Sequence, residues 1–219
     1  SKRRSDEAWA KGHFRLLRAK YFVGRWDNQS PLSELYTVLL KLEDRASLSQ
    51  SELEWLEGTR LDSVMAAYYD QRFDQEGQPW HVLLASSHWR DAGLPHLALR
   101  ASARISGADP HLMAAILRTR GGAHRDLGSL DDAEQLVLQS LEIEPDSLHG
   151  YSLLGAVRYQ QGRPDEGEDA FERAVALGAH PESQEQSRRK ALREAEPIAR
   201  SRIASFLLDR DPLRYSWAA

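Results

Sequence analysis

Residues 151–174 read YSLLGAVRYQQGRPDEGEDAFERA. An apolar stretch closes at Gly162, Pro164 follows, and a second stretch carries Gly167, Phe171 and Ala174. The arrangement recurs upstream. Gly93, Gly128 and Gly162 are 35 and 34 residues apart, and Ala98, Ala133 and Gly167 keep that spacing. Pro110, Pro145 and Pro181 follow at 35 and 36. A period of this length predicts stacked helix pairs, because one small pair cannot bury its apolar face alone. Such solenoids present extended binding surfaces.

The remaining chain also has the helical period. Leu32, Leu35, Tyr36, Leu39 and Leu40 form one apolar stripe, and Leu61, Val64, Met65, Tyr68 and Tyr69 form another. No two-residue alternation competes with them, so the expected fold is all-α. Four helices are expected before the repeats. The first covers about 6–22. The second starts at Pro31, with Ser30 as its N-cap. Ser49 and Glu52 have capping-box spacing and open a third helix that Gly58 stops. Thr59 is expected to cap the fourth, over 60–75. Gly77-Gln78-Pro79 then marks a boundary. The expected domains are a helical region at 1–78, three helix pairs at 79–182 and a C-terminal cap at 183–219.

Within the repeats, Tyr151, Leu154-Gly155, Gly162, Gly167, Phe171 and Ala174 carry a recognisable pattern: an aromatic, then Leu-Gly, then small-x3-aromatic. Leu117, Gly121, His124, Gly128, Ala133 and Val137 follow it in the middle repeat, and Val82, Trp89, Gly93 and Ala98 in the first. The segment 79–182 resembles the tetratricopeptide repeat (TPR) family. Arg158 and Arg120 depart from that pattern, as does Gly167, and point to altered local packing. After Pro181 a helical stripe runs past Pro197, as one kinked helix or two, and suits a solenoid cap.

The resemblance implies that the first helix of each pair lines a concave face. It places Trp80 and Arg90, then Arg118 and Arg125, then His149 and Tyr159, along one groove. Guanidinium groups bind carboxylates bidentately and aromatic rings anchor apolar groups. The expected function is therefore a non-enzymatic adaptor or regulatory subunit that grips a protein or peptide partner, with an acidic segment as the first candidate. The family's carboxylate-clamp set is not reproduced.

Composition narrows the alternatives. Charged residues make up 28% and the net charge is −4, which advertises neither nucleic acid nor an anionic surface. Local net charges are −1 over 1–78, −6 over 79–182 and +3 over 183–219. Cysteine is absent, so disulfides, thiolate metal sites and a Cys nucleophile are excluded. No HExxH, GxSxG or GxxxxGK[ST] occurs. His81 and His88 are seven apart, two turns removed on one helix, so no metal site or cofactor is expected. No apolar run spans a bilayer, and no apolar region follows the basic N-terminus. A cytoplasmic location without membrane contact is expected, and 24 arginines against 5 lysines point to GC-rich, bacterial coding. Competing readings are nucleic-acid contact through Arg188, Arg189, Lys190, Arg193, Arg200 and Arg202, an enzyme site within 1–78, and self-association through exposed solenoid ends.

Overall fold

The computed structural model describes residues 2–25, 33–105 and 107–219, with side chains from Asp6 onward. Among these residues are twelve α-helices and one short 3-10 turn, and no strand. The chain divides into two compact units, 1–105 and 106–219.

The first unit contains α1 (Lys2–Lys20), α2 (Glu34–Glu43), α3 (Gln50–Gly58), α4 (Asp62–Glu76), α5 (Pro79–Asp91) and α6 (Pro95–Ser102). The stripes seen in the sequence meet in one core. Phe14 and Leu17 of α1 pack with Leu35, Val38 and Leu39 of α2 and with Val64, Met65 and Tyr68 of α4. Ser49 and Glu52 form the expected capping box. The expected cap at Ser30-Pro31 lies outside the described residues, and the Ser33 hydroxyl accepts from the Tyr36 amide where α2 begins. Thr59 does not cap α4. Its hydroxyl donates backwards to the carbonyls of Trp55 and Leu56, finishing α3. Arg60 then takes a left-handed φ of 54°, and α4 starts from Leu61 with no side-chain cap. The α5 residue Trp89 donates through Nε1 to Asp70 of α4 at 2.7 Å. Arg104, just beyond α6, pairs with Asp70 and Asp74 and lies over the Phe73 ring. The pair α5–α6 is thus tied to α4 by packing and by charge.

The second unit is three successive helix pairs. They are α7 (Pro110–Asp126) with α8 (Leu130–Ile143), α9 (Leu148–Gln160) with α10 (Pro164–Ala176), and α11 (Pro181–Glu194) with α12 (Pro197–Arg210). The segment after Pro181 is therefore two helices. Ala195 and Glu196 both leave the helical conformation (ψ 145° and 153°), Glu196 because the Pro197 ring disfavours helical backbone in the residue before it, and α12 restarts at Pro197.

The glycine ladder has a common geometry in both units. Gly93, Gly128 and Gly162 have φ of 74°, 79° and 75°. After each, the next amide reaches back to close the helix end: Leu94 to Trp89, Ser129 to His124 and Arg163 to Arg158, each at 2.9 Å. This is the six-residue closure of a left-handed C-cap, which glycine adopts without steric cost.

The small residues within the pairs mark close helix approach. A Cβ on Gly155 would lie 2.6 Å from the Phe171 ring, and one on Gly121 would lie 2.9 Å from Val137. Gly167 departs from the family pattern because the Tyr159 ring occupies the space its Cβ would need. Gly167→Ala is expected to destabilise the protein by roughly 1–3 kcal/mol through overpacking, measured by urea unfolding. Unchanged stability would mean that Tyr159 has room to move.

Candidate functional site

The first helices α7, α9 and α11 are joined by a chain of polar contacts. Arg125 of α7 donates through Nε to Gln160 of α9 at 2.7 Å, and Gln160 donates through Nε2 to Glu194 of α11 at 2.8 Å. The Arg125 guanidinium also lies 3.5 Å from Glu194. Lys190 of α11 lies 3.9 Å from Asp126 of α7 and 3.8 Å from Glu194. These contacts reach across α9 from α11 to α7, so polar side chains of the three first helices share one face of this unit.

The six residues expected to touch a partner fall in both units. Trp80 and Arg90 belong to the first; Trp80 is 56% exposed and Arg90 is half-buried. In the second unit only His149 is openly exposed. Arg118 turns to its own pair partner, donating to the Ser140 hydroxyl and pairing with Glu144 of the segment after α8. Arg125 is buried at 8% exposure in the network above. Tyr159 is fully buried and cannot meet a partner. Its ring stacks against Phe171 and its hydroxyl donates to Glu168 at 2.6 Å. Each of these side chains found a neighbour on an adjacent helix, which spacing along one helix does not reveal.

Two residues of this face were missed by treating 183–219 as a cap. Lys190 and Glu194 lie 34 residues after Ala156 and Gln160, so the repeat period extended one pair further would have found them. Arg193, exposed, stands 34 residues after Tyr159 and 68 after Arg125.

Behind the face lies an ion pair with both partners buried. Arg188 of α11 donates through Nε and Nη2 to the two oxygens of Glu168 on α10, at 2.9 and 2.7 Å, and stacks over Phe171. Burial alone would raise the Glu168 pKa, but hydrogen bonds from Arg188 and Tyr159 outweigh it and hold the carboxyl below its usual range. Burial and the neighbouring Glu168 push the Tyr159 hydroxyl well above its ordinary value.

The C-terminal basic cluster is likewise engaged within the chain. Arg189 lies 4.2 Å from the Trp217 ring, and Arg200 donates to the carbonyls of Leu192, Arg193 and Ala195, capping α11. With Arg188 buried and Lys190 paired, Arg193 and Arg202 remain as the exposed members without a contact of this kind among the described residues.

In the first unit, Asp62, His88 and Asp91 bring donor atoms within 4.8 Å of one another. His88 Nδ1 is 3.0 Å from Asp62, a contact that ties α4 to α5, and its ring stacks on Tyr69. A cavity of about 690 Å³ opens at the turns of the second unit, between Gly128–Asp132 and Gln161–Arg163. Its cation, Arg163, is held by Glu134 and Glu166. No described helix is long and apolar enough to cross a membrane.

No protein-family model matches the chain, and no curated protein matches it. Among solved structures, the crystal structure of MamA is similar at a TM-score of 0.52 and 16% identity, over 78% of this chain and 99% of that one. MamA is a TPR-like helical-repeat protein. The fold here is a TPR-like helical repeat.

Breaking the buried pair by Glu168→Gln or Arg188→Met is expected to cost about 3–5 kcal/mol, since a buried charge is left alone. The folded pKa of Glu168 is lowered. Its contribution is therefore complete above the ordinary carboxylate pKa of about 4.3 and is lost as pH falls through the folded value. Urea midpoints measured from pH 7 down to pH 3 should fall less steeply for Glu168→Gln than for the parent protein.

Proposed function

We propose that this chain is a protein-interaction module with no catalytic role of its own, and that residues 106–219 bind a partner segment along α7, α9 and α11. The observation that carries the reading is the continuous and internally braced polar face from Arg125 through Gln160 to Glu194. Bracing of this kind holds a surface in shape before binding, which reduces the ordering cost that association must overcome.

An acidic segment remains the favoured ligand, but with different anchors from those the sequence suggested. Arg118 and Arg125 already meet carboxylates of the chain, so an incoming carboxylate would have to displace Glu144 or Glu194. Of the bases on α9 and α11, His149 and Arg193 are exposed and Lys190 is half-exposed. Charges at the rim of a face steer approach more than they set final affinity. Nucleic acid is the weaker reading because most of the basic C-terminal cluster serves the chain itself.

The test is photocrosslinking from single positions in the full chain. An unnatural photoreactive residue at His149 or Arg193 should trap the partner, whereas one at Leu138, exposed on α8, should not. Crosslinks from Leu138 alone would place binding on the second helices and overturn the proposal. Lys190→Glu/Arg193→Glu should weaken capture of an acidic partner by roughly tenfold, mainly through slower association at low salt.

A further inference from the structure

Helix α1 segregates charge. It carries seven basic and two acidic residues, a net +5, in a chain whose net charge is −4. One side of α1 is fixed, with Phe14 and Leu17 in the core of the first unit. On a helix of 3.6 residues per turn, Trp9, Gly12, Leu16 and Ala19 point the other way. Trp9 is 67% exposed and Leu16 is 69% exposed. Arg15 borders this strip, and Lys11 lies further round towards Phe14; both are exposed and in no ion pair among the described residues. Of the two acids, Glu7 falls beyond Lys11 at the edge of the buried side, and Asp6 falls between that side and Trp9.

The strip is held in place. The Trp9 indole stacks on His13 with ring centroids 4.9 Å apart, and His13 Nδ1 lies 3.1 Å from the Tyr36 hydroxyl of the core. Phe22, 54% exposed beyond the helix end, is turned edge-on to Trp89 and lies apart from the strip's own contacts.

We propose that the outward side of α1 docks this protein on an anionic lipid bilayer, lying in the interface rather than crossing it. Three features favour a bilayer over other anionic partners. The strip is a convex helix ridge with Gly12 between its two large residues and Ala19 beyond them, which suits a deformable plane and not an inserted peptide. Indole and isobutyl groups beside Lys and Arg match the layering of an interface, where rings sit at headgroup depth and cations meet phosphates. A nucleic acid would use the cations and leave Leu16 in water. The net −9 of the other residues opposes binding by the chain as a whole, so attraction must come from a local patch such as α1.

The test is vesicle flotation of the full chain. It should float with vesicles of phosphatidylglycerol and phosphatidylcholine, stay down with phosphatidylcholine alone, and detach as salt rises. Trp9→Ser/Leu16→Ser and Lys11→Glu/Arg15→Glu should each weaken binding by roughly tenfold or more. All four positions are exposed, so circular dichroism and melting should be unchanged. Arg202→Glu, an exposed charge reversal elsewhere, should leave flotation intact. Absence of flotation with anionic vesicles at low salt would overturn the proposal. So would flotation indifferent to both α1 variants, or α1-dependent capture of an acidic protein or nucleic acid in place of vesicles.

Discussion

The ion pair between Glu168 and Arg188 fixes how α11 sits on the rest of the second unit. A carboxylate and a guanidinium out of water are costly unless each lone pair and each donor is met. Here two parallel hydrogen bonds and the Tyr159 hydroxyl satisfy the carboxylate. With Arg188 and Ala191 turned inward, the rotation of α11 about its axis is set. Lys190 and Glu194 are then carried round to Asp126 and Arg125. The buried pair and the polar face thus share one orientation of α11.

Backbone closeness is the second constraint. Gly155 and Gly167 let α9 and α10 approach until side chains touch main chain, and Phe171 and Tyr159 fill the space on either side. The bare backbone at Gly167 leaves room for the Tyr159 ring, whose hydroxyl is a ligand of Glu168. This close packing is thus linked to the charge pair that orients α11.

Much of this was legible in the sequence, and the reasons are local. Gly93, Gly128 and Gly162 announce helix ends because a left-handed residue costs any other side chain energy. The stripes of α2 and α4 announce buried faces because 3.6 residues make a turn. Thr59 was misread because a hydroxyl near a helix end can donate backwards as readily as it can cap forwards. Period groups α5–α6 with the repeats, while compactness groups it with α1–α4, through Trp89, Arg104 and the acids of α4.

By itself, the sequence determined the all-α class, the positions of the helix ends and the repeat of helix pairs, because these depend on propensities and contacts within a few residues or one period. Only the tertiary structure decided that Tyr159 is core, that Arg118 and Arg125 answer to Glu144 and Glu194, and that the helices after Pro181 complete the face. Charges choose partners across space, and which carboxylate lies nearest a guanidinium is set by which helices are neighbours. Arginines in a repeat pattern suggest a binding surface, but in the structure Arg118 and Arg125 meet the chain's own Glu144 and Glu194.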